Sequence, residues 1–490
     1  ADTAPSERAE VLLRAAQLIH DHEDEFVRWG IRDIVEPATG AVLGSTRLAS
    51  PSDVAEAVTR SIVAQPKWAD TAPSERAEVL LRAAQLIHDH EDEFVRWGIR
   101  ECGGIAGKTS HEVHSGRGEL LAAAGLATEP YGQLLPAAGR MSYGRRIPFG
   151  AVGVITPWNF PLVLALRAVA PALALGNSVL LKPDHQTAVY GGALIARLFE
   201  EAGLPPGVLE VLPGRADAGH ALVADPRVPM ISFTGSTRAG KIVAATAAEH
   251  VKKVSLELGG NNAIIVLADA DPDQASSLGA WGSFLHQGQI CLTTGRHLVH
   301  RTIADAYLDR LAARAAALKV GDPTEADTQI GPIINAAQLA GVDRIVRASA
   351  DAGASIRTGG THENLFYAPT VLADVTPDMP AFTDEIFGPV APVTVFDSEE
   401  EAVALANSTA YGLTASVITA EPFRGWKLAE RLRAGVVHVN DTTVNDDPAV
   451  PFGGVGASGN GGRYGGQANW EEFTQWQWVT VRDTPPTYPF

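Results

Sequence analysis

The sequence predicts an α/β protein of more than one domain, and three observations carry that expectation. From Arg145 onward, short apolar segments alternate with helical ones, the pattern of parallel strands joined by crossover helices. The chain is 490 residues long, more than one compact core supports, so two or three domains are expected. Apolar residues make up 46% and charged residues 20%, the balance of an ordinary globular chain.

The N-terminal part contains a repeat. Residues 1–32, Ala1 to Arg32, recur letter for letter as residues 69–100, Ala69 to Arg100. Solenoid repeats diverge while keeping a pattern, whereas this segment occurs twice and stops. A recent duplication, a cloning scar or a sequence error explains it better than an array. Without the copy the length is 490 less 32, or 458, and the net charge moves from −18 to −15, because each copy carries seven acids and four bases.

Within the second copy, Ser74 is the expected N-cap of a helix whose stripe is Val79, Leu80, Ala83, Ala84 and Ile87. A turn over 88–92 leads to a second apolar segment around Phe94, Val95 and Trp97. Further on, strands are expected over 151–156, Ser178–Lys182, 208–212 and Met230–Thr234, with helices over 188–202 and 240–250. A second alternating region runs over 262–448. The tail, 473–481, alternates strictly; a lone strand there would be adhesive, so it is expected to pair, with another subunit a candidate partner.

Composition excludes several functions. A net charge of −18 with no long basic run argues against nucleic acid, whose phosphates need clustered Lys and Arg. Two cysteines, Cys102 and Cys291, make no disulfide framework and suit a reducing cytoplasm. The acidic, amphipathic start does not read as a signal peptide. The most apolar stretch, 162–175, contains Arg167 and Pro171 and is too short to span a bilayer. No membrane, nucleic-acid partner or metal is expected.

Three glycine-rich stretches imitate phosphate loops. Gly454-Val-Gly456-Ala-Ser-Gly459 fits GxGxxG, but no strand precedes it and no helix follows, so it reads as a tight loop. Gly107-Lys108-Thr109 lacks the earlier glycine of a P-loop, because Cys102 stands there. Gly235 to Lys241 has P-loop spacing between a strand and a helix, yet Ile242 replaces the magnesium-binding hydroxyl. What survives is a helix N-terminus suited to some phosphate, or a glycine turn made for packing.

Three residues point to nucleophilic chemistry. Cys291 lies in the polar segment His286-Gln-Gly-Gln-Ile-Cys291-Leu-Thr-Thr; alone it would read equally as a small buried hydrophobe. Glu257 sits between two leucines before Gly259-Gly260, where apolar surroundings destabilise its charge and suit it as a general base. Asn159, in Thr156-Pro-Trp-Asn159-Phe-Pro161, is held between prolines at a strand end, and its amide is suited to an oxyanion hole. The signal is their co-occurrence.

With these residues the chain resembles the NAD(P)-dependent aldehyde dehydrogenases, from Glu36 (EPATG) to Val481. TPWNFP, LLKPD, FTGSTRAGK, LELGGNN, GQIC, EIFGPV and PFGGVGASG follow in family order. The resemblance implies a Rossmann-like dinucleotide-binding domain (33–128 and 148–257), an α/β catalytic domain (258–455) and a small β oligomerisation element (129–147 and 468–490), in a homodimer or homotetramer. The implied mechanism has the Cys291 thiolate attack an aldehyde to give a thiohemiacetal. The Asn159 amide and Cys291 N–H hold the oxyanion, hydride passes to the cofactor, and Glu257 activates the water that releases the acid.

The resemblance also implies cofactor contacts. Lys182 is placed at the adenosine ribose, Gly235 and Ser236 at the pyrophosphate, and Glu385 and Phe387 at the nicotinamide ribose. Ile155, Thr156, Trp158, Asp184, Gly214, Phe233 and Gly259 complete the cleft. His185 stands where many NAD-preferring members carry glutamate; with Lys182 and Arg238 near, it should admit NADP⁺ as well as NAD⁺, unless it merely faces solvent. Phe160, Arg167, Ile290 and Leu292 are implied to line the substrate pocket. Arg167 replaces a common tryptophan and Tyr464 a common glutamate, and the pattern is most similar to benzaldehyde and vanillin dehydrogenases. Arg167 could meet a phenolic oxygen or an aromatic ring, or pair with a carboxylate outside the pocket.

The rival readings are a CoA-acylating enzyme, which would not need Glu257 as a base, a catalytically silent protein on the same fold, and a P-loop phosphotransferase, which fails at Ile242. The resemblance aligns the second repeat copy with an early helical segment. Residues 1–28 are therefore expected on the surface, outside catalysis, with Ile31–Val35 recruited as an edge strand; deep burial of Leu12, Leu13 and Ile19 would contradict this. Cys102 is expected to be structural.

Overall fold

The computed structural model describes residues 31–490, so the expectation for residues 1–28, with Leu12, Leu13 and Ile19, lies outside the described residues. Strand β1 (Ile31–Val35) pairs antiparallel with β2 (Val42–Arg47) across the Glu36 turn. The Glu36 carboxylate fixes that turn by accepting from Thr39 Oγ1 at 2.5 Å and Arg100 Nε at 2.7 Å.

The second repeat copy forms the helices Pro73–Asp89 and Glu91–Cys102. Val79, Leu80, Ala83, Ala84 and Ile87 are buried, as the stripe requires, and Phe94 joins them. The cap differs from expectation. Ala72, not Ser74, is the N-cap and makes no side-chain cap bond, because Pro73 occupies the first helical position. There a missing N–H goes unnoticed, and Ser74 is left exposed one residue inside. The helix Ala106–Ala127 follows and leads to β3 (Gly132–Leu134) and β4 (Met141–Pro148).

A parallel five-stranded sheet comes next: β5 (Ala151–Ile155), β6 (Ser178–Lys182), β7 (Leu209–Val211), β8 (Met230–Thr234) and β9 (Lys253–Glu257), in the order β7-β6-β5-β8-β9. β5 and β6 are buried along their whole length, which fits continuous apolar runs covered on both faces. The chain steps outward from β5 to β7, then returns to β8 on the other side of β5. Strand order thus reverses between β5 and β8, the place where a crevice opens at the carboxyl edge of such sheets.

Two elements here are less regular than the sequence suggests. Strand 208–212 contracts to β7 because Val208 N turns back to Pro205 O at 3.2 Å. The helix over 188–202 opens as a π turn, Val189–Ala193, before the α-helix Leu194–Glu201. The buried Glu101 carboxylate draws Val189 N at 3.0 Å and Tyr190 N at 2.7 Å. Gly191 lets this turn close on Pro161, where an added Cβ would come within 2.7 Å of the ring. The helix expected over 240–250 starts earlier, as Thr237–Ala248.

A seven-stranded sheet holds most of the rest: β10 (Asn262–Val266), β11 (Thr294–His300), β12 (Ser355–Thr358), β15 (Thr370–Ala373), β16 (Val390–Phe396), β17 (Thr414–Ile418) and β18 (Val436–Val439), with a small hairpin of β13 (His362–Glu363) and β14 (Phe366–Tyr367) beside it. Its order is β12-β15-β16-β11-β10-β17-β18, parallel except for β12 against β15. Finally β19 (Thr474–Val481) runs antiparallel to β4 in unbroken register, from Thr474 opposite Pro148 to Val481 opposite Met141. The tail strand therefore pairs within its own chain, through β4. No described helix is long and apolar enough to cross a membrane.

Candidate active site

β9 ends at Glu257 and β10 begins at Asn262, so residues 258–261 carry the chain from the carboxyl edge of one sheet to the amino edge of the other. Cys291 lies just ahead of β11, whose Thr294 is opposite Asn262. The two sheets thereby bring Glu257 and Cys291 to one junction.

The loop that presents Cys291 is held in a demanding conformation. His286, Gln287 and Gly288 all have positive φ, at 49°, 57° and 65°. A Cβ on Gly288 would stand 2.1 Å from the Gly388 carbonyl oxygen, so this position needs glycine for space as well as for angle. The loop is tied at several points. Gln287 Nε2 donates to Gly103 O at 2.8 Å and Pro332 O at 2.9 Å. Asn262 Nδ2 donates to Cys291 O at 2.8 Å and Thr293 O at 2.7 Å, while its Oδ1 accepts from Thr414 N at 3.1 Å. Gly260 lets this clamp approach, because a Cβ there would meet the Cys291 carbonyl at 2.6 Å. Burial, with Glu257 nearby, pushes the Cys291 thiol up to about 12. Cys102 is fully buried, and its thiol is raised for the same reason.

Asn159 is 3% exposed, and its Nδ2 donates to Gln289 O at 3.0 Å. That bond ties the amide to the Cys291 loop and engages one of its two N–H groups. Beneath it sits a buried pair absent from the sequence reading. Lys108 Nζ donates to Glu112 Oε2 at 2.6 Å and to the Asn159 carbonyl at 3.0 Å, and lies 4.1 Å from the Phe160 ring centroid. Glu112 Oε1 accepts from Leu162 N at 2.9 Å and Val163 N at 3.3 Å, the unpaired donors that open the helix Pro161–Ala174. The i,i+4 spacing of Lys108 and Glu112 is visible in the sequence, but there Lys108 reads only as the lysine of a failed P-loop.

Glu257 is 5% exposed, and neither carboxylate oxygen has a hydrogen-bond partner among the described residues. Burial holds this carboxyl well above the ordinary range, as expected for a base kept from water. The loop 454–459 packs on its strand: Leu258 N donates to Ser458 O at 2.9 Å and Gly459 bridges to Glu257, while just ahead of the loop a Cβ on Gly453 would come 2.8 Å from Glu257 Oε1. The GxGxxG look-alike therefore serves as close packing around a carboxylate.

The residues assigned to a dinucleotide gather at the carboxyl edge of the five-stranded sheet. Ile155 is opposite Phe233 at the reversal between β5 and β8, with Thr156 and Gly235 one step beyond Ile155 and Thr234. Lys182 ends β6 and is 8% exposed, with burial lowering its affinity for a proton. Gly214 follows β7. Ser236 caps the helix Thr237–Ala248 by accepting from Ala239 N at 3.3 Å, leaving that N-terminus aimed along the edge. Trp158 meets Phe387 edge to face at 5.5 Å. Glu385 Oε1 accepts from Gly260 N at 2.9 Å, and a Cβ on Gly259 would strike its other oxygen; burial pushes this carboxyl up to about 7. Thr156 Oγ1 is buried with no hydrogen-bond partner among the described residues, and His185 Nδ1 makes no hydrogen bond but stands 3.8 Å from Asp184 Oδ1, so the edge offers polar groups to a ligand. Asp184 caps the turn at His185 by accepting from Gln186 N at 2.9 Å. His185 is held below its usual range by burial and by the charges of Arg32, Lys182 and Arg215. The cations that act on it are Lys182, as expected, with Arg32 and Arg215.

A cavity of about 560 Å³ opens on the other side of Cys291 and contains Asn159, Phe160, Arg167, Ile290 and Leu292 in its lining. Phe452, Trp281, Val163 and Val444 add apolar surface. Ile290, Leu292, Leu413 and Phe452 form their own buried cluster with Phe160 against it. Arg167 lies over the Phe452 ring at 4.7 Å and is paired through two of its nitrogens: Nε donates to Glu119 Oε1 at 3.0 Å and Nη2 to Asp446 Oδ2. The arginine thus lines this cavity and is at the same time paired to carboxylates, one of which, Asp446, lines the cavity too. Phe452, Trp281, Glu119 and Asp446 were missed; no local motif marks them, because Asp446 reaches Arg167 across 279 residues.

A profile of the aldehyde dehydrogenase family matches residues 30–479. The chain is 52% identical over 465 residues to a benzaldehyde dehydrogenase [NAD(+)] of Pseudomonas putida, covering 94% of this chain and 96% of that protein. It is 53% identical over 459 residues to a vanillin dehydrogenase of Amycolatopsis sp., with 93% and 94% covered. Among solved structures, the glyceraldehyde-3-phosphate dehydrogenase GapN of Methanocaldococcus jannaschii complexed with NADP superposes with a TM-score of 0.88 at 32% identity, covering 92% of this chain and 99% of that one.

Proposed function

The chain belongs to the aldehyde dehydrogenase family, and on that premise we propose that it oxidises an aromatic aldehyde to the carboxylic acid with NAD⁺ or NADP⁺, through Cys291, Asn159 and Glu257. The observation that carries the aromatic reading is the cavity beside Cys291. Its walls are the rings of Phe160, Phe452 and Trp281 with Ile290 and Leu292, an apolar slot of the size that encloses a small ligand.

The bound cofactor supplies the hydride acceptor; Thr156, Lys182, Ser236 and Glu385 at the sheet edge are the residues proposed to hold it. Sγ of Cys291 forms the bond to the aldehyde carbon. Its thiol is held protonated in the resting site, so attack requires that the proton pass to solvent as the C–S bond forms, which leaves the Glu257 carboxylate unprotonated for the later step. The carbonyl oxygen becomes an oxyanion, which the remaining Asn159 N–H and the Cys291 N–H stabilise. Loss of hydride leaves a thioester. Glu257 then removes a proton from water, the hydroxide adds to the thioester carbon, the C–S bond breaks, and the proton held by Glu257 passes to the departing Cys291 sulfur as the acid is released. Two orphan oxygens on Glu257 are free to orient that water, which argues for hydrolysis over transfer to CoA.

We also propose the domain division 33–128 with 148–257, 258–455, and 129–147 with 468–490, and a homodimer or homotetramer joined through the last of these. β19 supports this: Trp476 and Trp478 stand half exposed on a strand with one free edge. Two unpaired thiols suit a cytoplasmic setting.

The test follows ultraviolet absorbance of the reduced cofactor with benzaldehyde, vanillin and an aliphatic aldehyde, with and without CoA. Turnover of the aromatic pair without CoA, yielding acid, is expected. Turnover confined to the aliphatic aldehyde, or dependent on CoA, would overturn the proposal.

A further inference from the structure

We propose that Arg167, Glu119 and Asp446 act as a charge filter, admitting ring aldehydes without a formal charge and excluding those that carry a carboxylate on the ring; the proposal rests on the aromatic reading above. An arginine in an apolar pocket ordinarily invites an anion, because its planar fork matches a carboxylate. Here two of its three nitrogens are already paired. Nε is bonded to Glu119, which is 2% exposed and reaches in from the helix Ala106–Ala127, and Nη2 is bonded to Asp446. One guanidinium thus faces two carboxylates.

The other cation of the lining, Lys108, is likewise bound at 2.6 Å to Glu112. Asp441 lines the same cavity and forms no ion pair among the described residues; it accepts from Asn445 Nδ2 at 2.7 Å. The lining therefore sets Lys108 and Arg167 against Glu112, Asp441 and Asp446, with His111 as its one further ionisable group besides Cys291. A carboxylate entering this space loses its water, finds both cations already paired to carboxylates and meets a lining with more acids than bases, in a setting where charges are poorly screened. A neutral ring gives up nothing comparable and gains contact with Phe160, Phe452, Ile290 and Leu292. Arg167 then serves as a rigid wall, fixed over Phe452, and its charge is spent inside the protein.

The experiment compares kcat/KM for 4-formylbenzoate and its methyl ester, which differ in charge and by one methyl group, with benzaldehyde as reference. Wild-type protein should prefer the ester by about tenfold or more, a difference of ~1.4 kcal/mol. Asp446→Asn keeps the shape while returning donor capacity and positive charge to the cavity, and should raise the acid-to-ester ratio by about tenfold. Equal use of acid and ester by the wild type would overturn the filter, as would an unchanged ratio in a folded Asp446→Asn protein that still oxidises benzaldehyde. Should that variant not fold, Glu119→Gln is read by the same ratio. If the wild type oxidises none of the three aldehydes, the aromatic reading falls and the filter with it; if it oxidises benzaldehyde without discriminating, only the filter falls.

Discussion

Replacing Lys108 by methionine tests whether the buried pair beneath Asn159 organises the site. Methionine keeps an unbranched stem against Phe160 and removes the ammonium. Two acceptors then lose their donor: Glu112 Oε2, at 2.6 Å, and the Asn159 carbonyl, at 3.0 Å. Glu112 has no exposed side-chain surface, so water cannot replace the lost partner. Breaking a buried pair from one side costs about 3–5 kcal/mol, and the stranded carbonyl adds roughly 1–3 kcal/mol. Relaxation lowers the sum, and a loss of about 4 kcal/mol is expected in denaturant unfolding. Catalysis should fall more than tenfold, because the Asn159 backbone is no longer held against the Cys291 loop. The companion variant Lys108→Met/Glu112→Gln removes the stranded charge but leaves an acceptor for Leu162 N and Val163 N, so it should recover more than half of the lost stability. A single variant within about 1 kcal/mol of wild type, with unchanged kcat, would refute the reasoning.

Other predictions concern the loop, the thiol and the cofactor edge. Gly288→Ala forces a Cβ to 2.1 Å from Gly388 O at a φ of 65°, so activity should collapse while far-ultraviolet dichroism persists; wild-type turnover would contradict the loop geometry. With Cys291 raised to about 12, the thiol is neutral at pH 7 and the thiolate fraction grows tenfold per pH unit up to that value. Alkylation of Cys291 by iodoacetamide should accordingly keep rising between about pH 7 and 10, and a plateau below pH 8 would show a thiolate already formed. His185→Glu places a negative charge beside Arg32, Lys182 and Arg215, and should lower kcat/KM for NADP⁺ relative to NAD⁺ by about tenfold or more. An unchanged ratio would place His185 away from the 2′ position.

Much of this was legible in the sequence, for local reasons. Ser178–Lys182 and Met230–Thr234 are short, mainly apolar segments between turn residues, and the strands have those same limits. Cys291, Glu257 and Asn159 announced themselves because a polar or charged group in a glycine- or proline-bounded apolar setting is unusual. What escaped depends on distant partners. The π turn at Val189–Ala193 follows from Glu101, some 88 residues earlier. Pro73 displaced Ser74 as the helix start by occupying its first position. Arg167 owes its pairing to Glu119 and Asp446, and no periodicity in the sequence brings those two together.

The central claim is a thioester on Cys291 whose hydrolysis depends on Glu257. The direct measurement is the intact and peptide mass of Glu257→Gln protein mixed with benzaldehyde and NAD⁺. The account predicts one rapid turnover per site, followed by a stalled species carrying one benzoyl group in place of one hydrogen on the peptide that contains Cys291. Steady turnover at the wild-type rate, or an adduct on any other residue, would contradict it.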